Sequence, residues 1–222
     1  MSKQYLGLKP GQREQIHKMA VDKRISSDRF QIFGLDNGNV ATLLEAARQG
    51  RRIVFAPEFE PPPGGRIHIL RVPVVLDRPW QEAINASGSD TPDNYNVRKV
   101  GDLYLPTGKG LVEREVILLN FGPKGGSWDG AIAWAKQYGL KRIAPRLVFA
   151  IGEHCPQLHH ELKIDPMYVV ATEECAFEGN RQACNVWWNE HKREANLNWV
   201  SNYGNPNDWF AFSRYCLLSP PV

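Results

Sequence analysis

Ser127-Trp-Asp-Gly-Ala-Ile-Ala-Trp-Ala-Lys-Gln-Tyr-Gly139 is the most legible element of the chain. Ser127 carries an acceptor oxygen suited to capping a helix, Asp129 falls in the electropositive first turn, and Gly139 supplies a stop. Trp128, Ala131, Ile132, Ala135 and Tyr138 recur at helical spacing and predict one inward stripe. Shortly afterwards Pro145 opens a second predicted helix, which runs through Glu153 with Leu147, Val148 and Ile151 inward. Just before the first helix, Val112-Glu-Arg-Glu-Val-Ile-Leu-Leu-Asn-Phe121 predicts a strand whose second half is apolar enough to be buried on both faces.

Downstream of Glu153 the helical period disappears. Short strands are predicted at 168–172, 183–188, 195–200 and 209–214, separated by turn-rich loops. A strand, two helices and then several short antiparallel strands define an α+β module. Upstream, 67–76 is β-branched and predicts another strand, whereas 85–96 is rich in Ser, Asp, Asn, Gly and Pro and predicts an exposed loop. Asn85-Ala86-Ser87 fits a glycosylation sequon and is read as a turn in that loop. The clearest break is Glu60-Pro-Pro-Pro-Gly-Gly65, which places a boundary between a smaller region, 1–63, and a larger domain, 64–222. In the first region, 10–21 and 39–49 predict helices and 52–56 a strand.

Composition sets the class. A chain of 222 residues with 42% hydrophobic and 23% charged residues, seven Trp and nine Phe is an ordinary globular protein. The net charge is +3, and apart from Arg48, Arg51 and Arg52 the basic residues are scattered, so no nucleic-acid partner is expected. No run has the length of a membrane span, so no membrane partner is expected either. Cys155, Cys175, Cys184 and Cys216 are irregularly spaced and predict free thiols in a reducing compartment. Because 1–10 is polar, the expected location is the cytoplasm, or a virion should the chain belong to a phage or mobile element.

Motifs for chemistry fare poorly. Thr107-Gly-Lys109 invites a phosphate-loop reading, but the required upstream glycine position is Leu103 and no Ser or Thr follows Lys109. Gly122-Pro-Lys-Gly-Gly126 reads as a strand-to-helix turn. His154, Cys155, His159 and His160 crowd the end of the second predicted helix and, with Cys175 and Cys184, could supply zinc ligands, yet the paired short spacing of a zinc site is missing and Pro156 splits the cluster. No serine has a nucleophile elbow around it, and Glu173 and Glu174 are adjacent, so on a strand they point to opposite faces. No catalytic residue, metal or cofactor is therefore assigned, and an enzyme is not expected.

Asparagine is the residue that stands out. Between Cys184 and Trp209 it occurs at 185, 189, 196, 198, 202, 205 and 207, among aromatics that read as core: Trp187, Trp188, Trp199, Trp209, Phe210 and Phe212. Asparagine disfavours strands, yet Asn196 and Asn198 alternate with Ala195, Leu197 and Trp199, so both face away from the apolar side. Two readings stay open: a polar sheet face with Asn-rich turns, or a recognition surface of small hydrogen-bonding side chains on an aromatic scaffold.

The C-terminal half resembles the C-type-lectin fold, in the branch that holds formylglycine-generating domains and the variable proteins of diversity-generating retroelements. The resemblance rests on Ala131-Ile-Ala-Trp-Ala-Lys136, Gly139-Leu140, Pro145-Arg-Leu-Val-Phe149, Val169-Val-Ala-Thr172, Val186-Trp-Trp188 and Trp209-Phe-Ala-Phe-Ser-Arg214. It implies a ligand-binding protein whose contact surface lies between Asn185 and Asp208: Asn185, Trp187, Asn189, Glu190, His191, Asn196, Asn198, Asn202, Tyr203, Asn205, Asn207 and Asp208. In such proteins adenine-directed mutation alters Asn codons while Trp, Phe and Val positions persist. The implied partner is a protein or a glycan. Asn205-Pro-Asn-Asp-Trp209 lacks the glutamate of calcium-dependent lectins, so calcium is not expected. The resemblance also implies two rivals: an oxidase of the formylglycine-generating type using Cys175 or Cys184, and a structural module of a phage or mobile element.

Overall fold

The computed structural model describes residues 59–88 and 96–214. The chain divides into two units, Met1–Pro57 and Glu58–Val222, and the described residues all lie in the second. The elements expected at 10–21, 39–49 and 52–56 fall outside them.

In chain order the elements are β1 (Arg66–Val75), α1 (Trp80–Ser87), α2 (Asn96–Lys99), a 3-10 turn (Gly101–Leu103), β2 (Leu111–Asn120), α3 (Trp128–Gln137), β3 (Lys141–Arg142), α4 (Pro145–His154), α5 (Leu158–Leu162), β4 (Met167–Phe177), β5 (Asn180–Trp188), β6 (Arg193–Trp199), a second 3-10 turn (Val200–Asn202) and β7 (Asp208–Ser213). This is an α+β arrangement around one sheet of order β1-β2-β7-β4-β5-β6, with β3 paired to β7. The pairings are antiparallel except that of β4 with β7.

Both predicted helices form where their end signals lie. The Ser127 hydroxyl accepts a hydrogen bond from the Gly130 N–H at 3.0 Å, satisfying one of the orphan donors of the first turn of α3. Gly139 stands just beyond its end at φ +65°, a conformation that costs glycine least. Pro145 opens α4, and Leu147, Val148 and Ile151 are buried.

The middle of the sheet is buried on both faces, as the parity of its strands shows. Val116 and Leu118 of β2 point into one apolar cluster, whereas Ile117 and Leu119 point into another. The first cluster also holds Val72 and Val74 of β1, Val169 and Ala171 of β4, Val186 and Trp188 of β5, and Val148 and Ile151 of α4. The second holds Val170, Phe210 and Phe212 beneath Trp128, Ala131, Trp134 and Ala135 of α3. The two sides are called the α4 face and the α3 face below.

One expectation is overturned between β1 and β2. Residues 85–87 close helix α1 instead of starting a loop. Trp80, Ala83, Ile84 and Ser87 fall at i, i+3, i+4 and i+7, a helical stripe hidden by the polar composition around it. Ser87 is fully buried, donating to the Ile84 carbonyl at 2.8 Å, and the Trp80 indole donates to the Val97 carbonyl at 2.8 Å. Both polar tips are thus satisfied inside the protein, and Asn85-Ala86-Ser87 is the last turn of a helix, with Asn85 exposed and Ser87 buried.

Candidate functional site

Cross-strand register sets out the chemistry of the α3 face as rows. One row runs Ile67, Leu119, Phe210, Val170, Asn185, Asn196 across β1, β2, β7, β4, β5 and β6. It is apolar for four strands and polar for two. The neighbouring row runs Asp208, Tyr168, Trp187, Glu194 across β7, β4, β5 and β6. Helix α3 covers the apolar end, packing Trp128 against Phe210 at 6.1 Å and Trp134 against Phe212 at 6.1 Å between ring centroids. The polar-aromatic end lies on β5, β6 and the start of β4, where Tyr168, Trp187 and Asn198 are half-buried.

The residues expected to form a contact surface are brought to this end, but not all face solvent. Asn185 is fully buried and Asn196 is 7% exposed. The cause for Asn185 is Tyr203, from the turn after β6, which folds back over the sheet and packs 6.0 Å from Trp128. The Asn185 amide donates to the Tyr203 hydroxyl at 2.7 Å, and that hydroxyl donates to the Ala183 carbonyl at 2.9 Å. Burial keeps the Tyr203 phenol protonated well beyond its ordinary range. Tyr203 and Asn185 are therefore a clamp holding the turn to the sheet, and their roles as direct contacts are corrected.

Asp208 is likewise committed. It is 3% exposed, and its carboxylate accepts from the Gly204 N–H at 2.7 Å and the Asn205 N–H at 2.8 Å. Burial holds its pKa above the ordinary carboxylate range, and these hydrogen bonds offset only part of that rise. The loop it ties is also gripped from β2. The Asn120 amide donates to the Pro206 carbonyl at 2.7 Å and the Asp208 carbonyl at 2.9 Å, while its own carbonyl oxygen accepts from the Gly122 N–H at 2.9 Å. Gly204 and Gly125 pack back to back here: a Cβ on Gly204 would lie 2.3 Å from the Gly126 carbonyl oxygen, and one on Gly125 2.3 Å from that of Gly204. The segment Gly122–Gly126 is thus a strand-to-helix turn that also buttresses the loop.

Asn189 shapes the β5–β6 turn, its side-chain oxygen accepting from the His191 and Lys192 N–H groups at 2.9 Å each. Glu190 and His191 are exposed on that turn, Asn202 and Asn205 are exposed beyond β6, and Asn207 is half-buried. The open part of the candidate surface is therefore Tyr168, Trp187, Asn198, Asn202, Asn205 and Asn207 with the 189–192 turn. Tyr168, Lys192 and Glu194 were not among the expected contacts. Parity on β6 already places Glu194 with Asn196 and Asn198, but Tyr168 joins them only through pairing with β5 and β7.

Trp199 corrects the aromatic reading. It lies on the α4 face with Ala195 and Leu197, as alternation requires, yet is 52% exposed whereas Ala195 is fully buried. As the last residue of β6 it reaches past the cover that its strand receives from α1 and α2.

The cysteines proposed for oxidase chemistry sit on the α4 side of the sheet. Cys184 is fully buried and Cys175 is 8% exposed. Burial pushes both thiols above their usual range, so both keep their protons at neutral pH. Cys155 is half-buried, and burial raises it too. Among the described residues, no group of three His, Cys, Asp or Glu side chains is placed to hold a metal ion, and no helix is long and apolar enough to cross a membrane.

No family model, curated protein or solved structure matches this chain.

Proposed function

We propose that this chain is a non-enzymatic ligand-binding protein of C-type-lectin-like design, of the kind diversified by retroelements, that offers the β5–β6 end of its α3 face to a protein or glycan partner. The observation that carries this reading is the change of chemistry along one row of the sheet, apolar under α3 and then polar and aromatic beyond it. A sheet built only to pack would continue the apolar row of Ile67, Leu119, Phe210 and Val170 into β5 and β6. Instead, Asn, Glu, Tyr and Trp side chains follow, beside a loop pinned from beneath by Asn120, Asp208 and Tyr203. Those three pins are buried, while Asn189 and Asn205 of the surface also hold its turns; a surface supported mainly from beneath tolerates change at its remaining exposed side chains, and diversification requires that tolerance.

The order of elements also supports the design: β2, then α3 and α4, then the β4–β5–β6 meander, with β7 returning between β2 and β4. The test is the coding DNA. A near-copy of the stretch encoding 185–208 should lie beside a reverse transcriptase gene and differ from it at adenine positions. A complete genome with no such copy would remove the diversification reading and leave the binding surface to be tested alone.

A further inference from the structure

Glu194 points from β6 onto the α3 face with its side chain only 5% exposed, and the Lys192 ammonium meets it at 2.5 Å. The same ammonium lies 5.2 Å from the centroid of the Trp187 ring. Tyr168 stacks against Trp187 with ring centroids 6.2 Å apart and planes 25° apart. A buried carboxylate needs a countercharge, and an aromatic face attracts a cation most strongly where water is scarce. Together these groups make an ammonium site that the protein fills with its own lysine.

That lysine is held by little else. Its side chain is 43% exposed, and it comes from the 189–192 turn, with Glu194 two residues further on. By contrast, Glu194, Trp187 and Tyr168 are fixed by strand pairing in one row, with Asp208 on the far side of Tyr168 already engaged by Gly204 and Asn205. Two further atoms on β5 have unused capacity: the Trp187 indole N–H and the Asn185 side-chain oxygen are buried without a hydrogen-bond partner. The two residues share one strand face, two positions apart, with Trp187 at the cation site and Asn185 beneath Tyr203.

We propose that Trp187 and Glu194, with Tyr168 stacked on the Trp187 ring as its support, form a binding site for the ammonium group of a lysine side chain on a partner protein, and that Lys192 occupies it in the free protein as an intramolecular stand-in. This rests on the α3 face being the ligand surface and names the chemistry of its ligand. The site already admits a lysine side chain, so a second one needs no new cavity. Exchanging one ammonium for another also leaves the buried carboxylate neutralised throughout. Lys192 acts as a gate: tethered through its own turn, it competes at an effective concentration on the order of millimolar, so a partner must bring further contacts to displace it.

The experiment uses the full chain with Lys192→Ala and n-butylammonium chloride, the side-chain analogue of lysine, against sodium chloride at equal ionic strength. The variant should melt below the parent, and n-butylammonium should raise its melting temperature saturably by a few degrees. The parent should respond several-fold less, and the Lys192→Ala/Glu194→Gln double variant not at all. Glycinamide, an analogue of a chain amino terminus, should have a weaker effect; an equal one would overturn the assignment to a lysine side chain. Should Lys192→Ala not fold, Lys192→Met keeps the stem, and the Trp187 indole N–H resonance reports the same titration. No response above the sodium control in either readout overturns the site. That result is distinguishable from failure of the ligand-binding reading, which the coding DNA and the asparagine variants test without any ammonium.

Discussion

Tyr203 and Asn185 give the sharpest test of how the candidate surface is held. In Tyr203→Phe the ring remains against Trp128, but the hydroxyl that accepts from Asn185 at 2.7 Å and donates to Ala183 at 2.9 Å is gone. A net hydrogen bond is worth about 1 kcal/mol, and a stranded buried amide costs a further ~1–3 kcal/mol. The Asn185 side-chain oxygen is already without a partner, so the amide becomes orphaned at both ends. The expected loss is about 2–4 kcal/mol, a large share of a domain's stability. Asn185→Leu should be much milder, about 1 kcal/mol or less, because it removes the unpaired oxygen together with the amide and leaves the Tyr203–Ala183 bond in place. The double variant should then be more stable than Tyr203→Phe alone, with a coupling of about 1–3 kcal/mol in a double-mutant cycle read by urea denaturation. Hydrogen exchange of residues 200–207 should rise in Tyr203→Phe, since the turn loses its tie to the sheet. A Tyr203→Phe variant within about 0.5 kcal/mol of the parent, with zero coupling to Asn185, would refute the clamp.

Phe210→Ala should cost roughly 3–5 kcal/mol in thermal unfolding, because that ring is fully buried, whereas Trp199→Ala should stay within about 1 kcal/mol since the indole is half in water; equal losses would mean that the two are covered alike. Thr172→Val keeps the volume but strands the Ile143 N–H, which the hydroxyl accepts at 3.0 Å while donating to Ala211 at 2.6 Å, so urea denaturation should show a loss of about 1–3 kcal/mol. Both ring nitrogens of His159 are buried without partners, and burial, then the neighbouring His160, lower its pKa against an opposing pull from Asp165. The unfolded chain therefore takes up the proton more readily, so this contribution is intact above pH about 6.5 and is lost as pH falls below it. His159→Phe should flatten that slope, by up to roughly 1.4 kcal/mol per pH unit, in unfolding curves recorded across the range. Replacing Asn202 and Asn207 together by Ser should shift stability by no more than roughly 0.5 kcal/mol per site while weakening or redirecting ligand capture; collapse of the fold would show these side chains to be structural. Asn205→Ser should cost about 1 kcal/mol, because its amide donates to the Asn202 carbonyl at 2.9 Å.

Much of this protein was open to local reading. Ser127, Asp129, Pro145 and Gly139 marked the bounds of α3 and α4, because capping and turn preferences act within a few residues. Alternation likewise assigned Ala195 and Leu197 to one side of β6 and Asn196 and Asn198 to the other, since a strand turns its side chains over every second residue. Helix α1 was legible in principle through Trp80, Ala83, Ile84 and Ser87, but its Asn and Ser content read as loop. Burial of individual positions was a different matter, for it depends on what distant chain lies above them. Nothing local to Asn185 says that Tyr203 will fold over it, and nothing local to Trp199 says that cover ends one residue short. The row of Asp208, Tyr168, Trp187 and Glu194 exists only because β7, β4, β5 and β6 pair in one register. Periodicity decided which face each side chain takes; the non-local packing of strands, turn and helix decided which of those faces meets water.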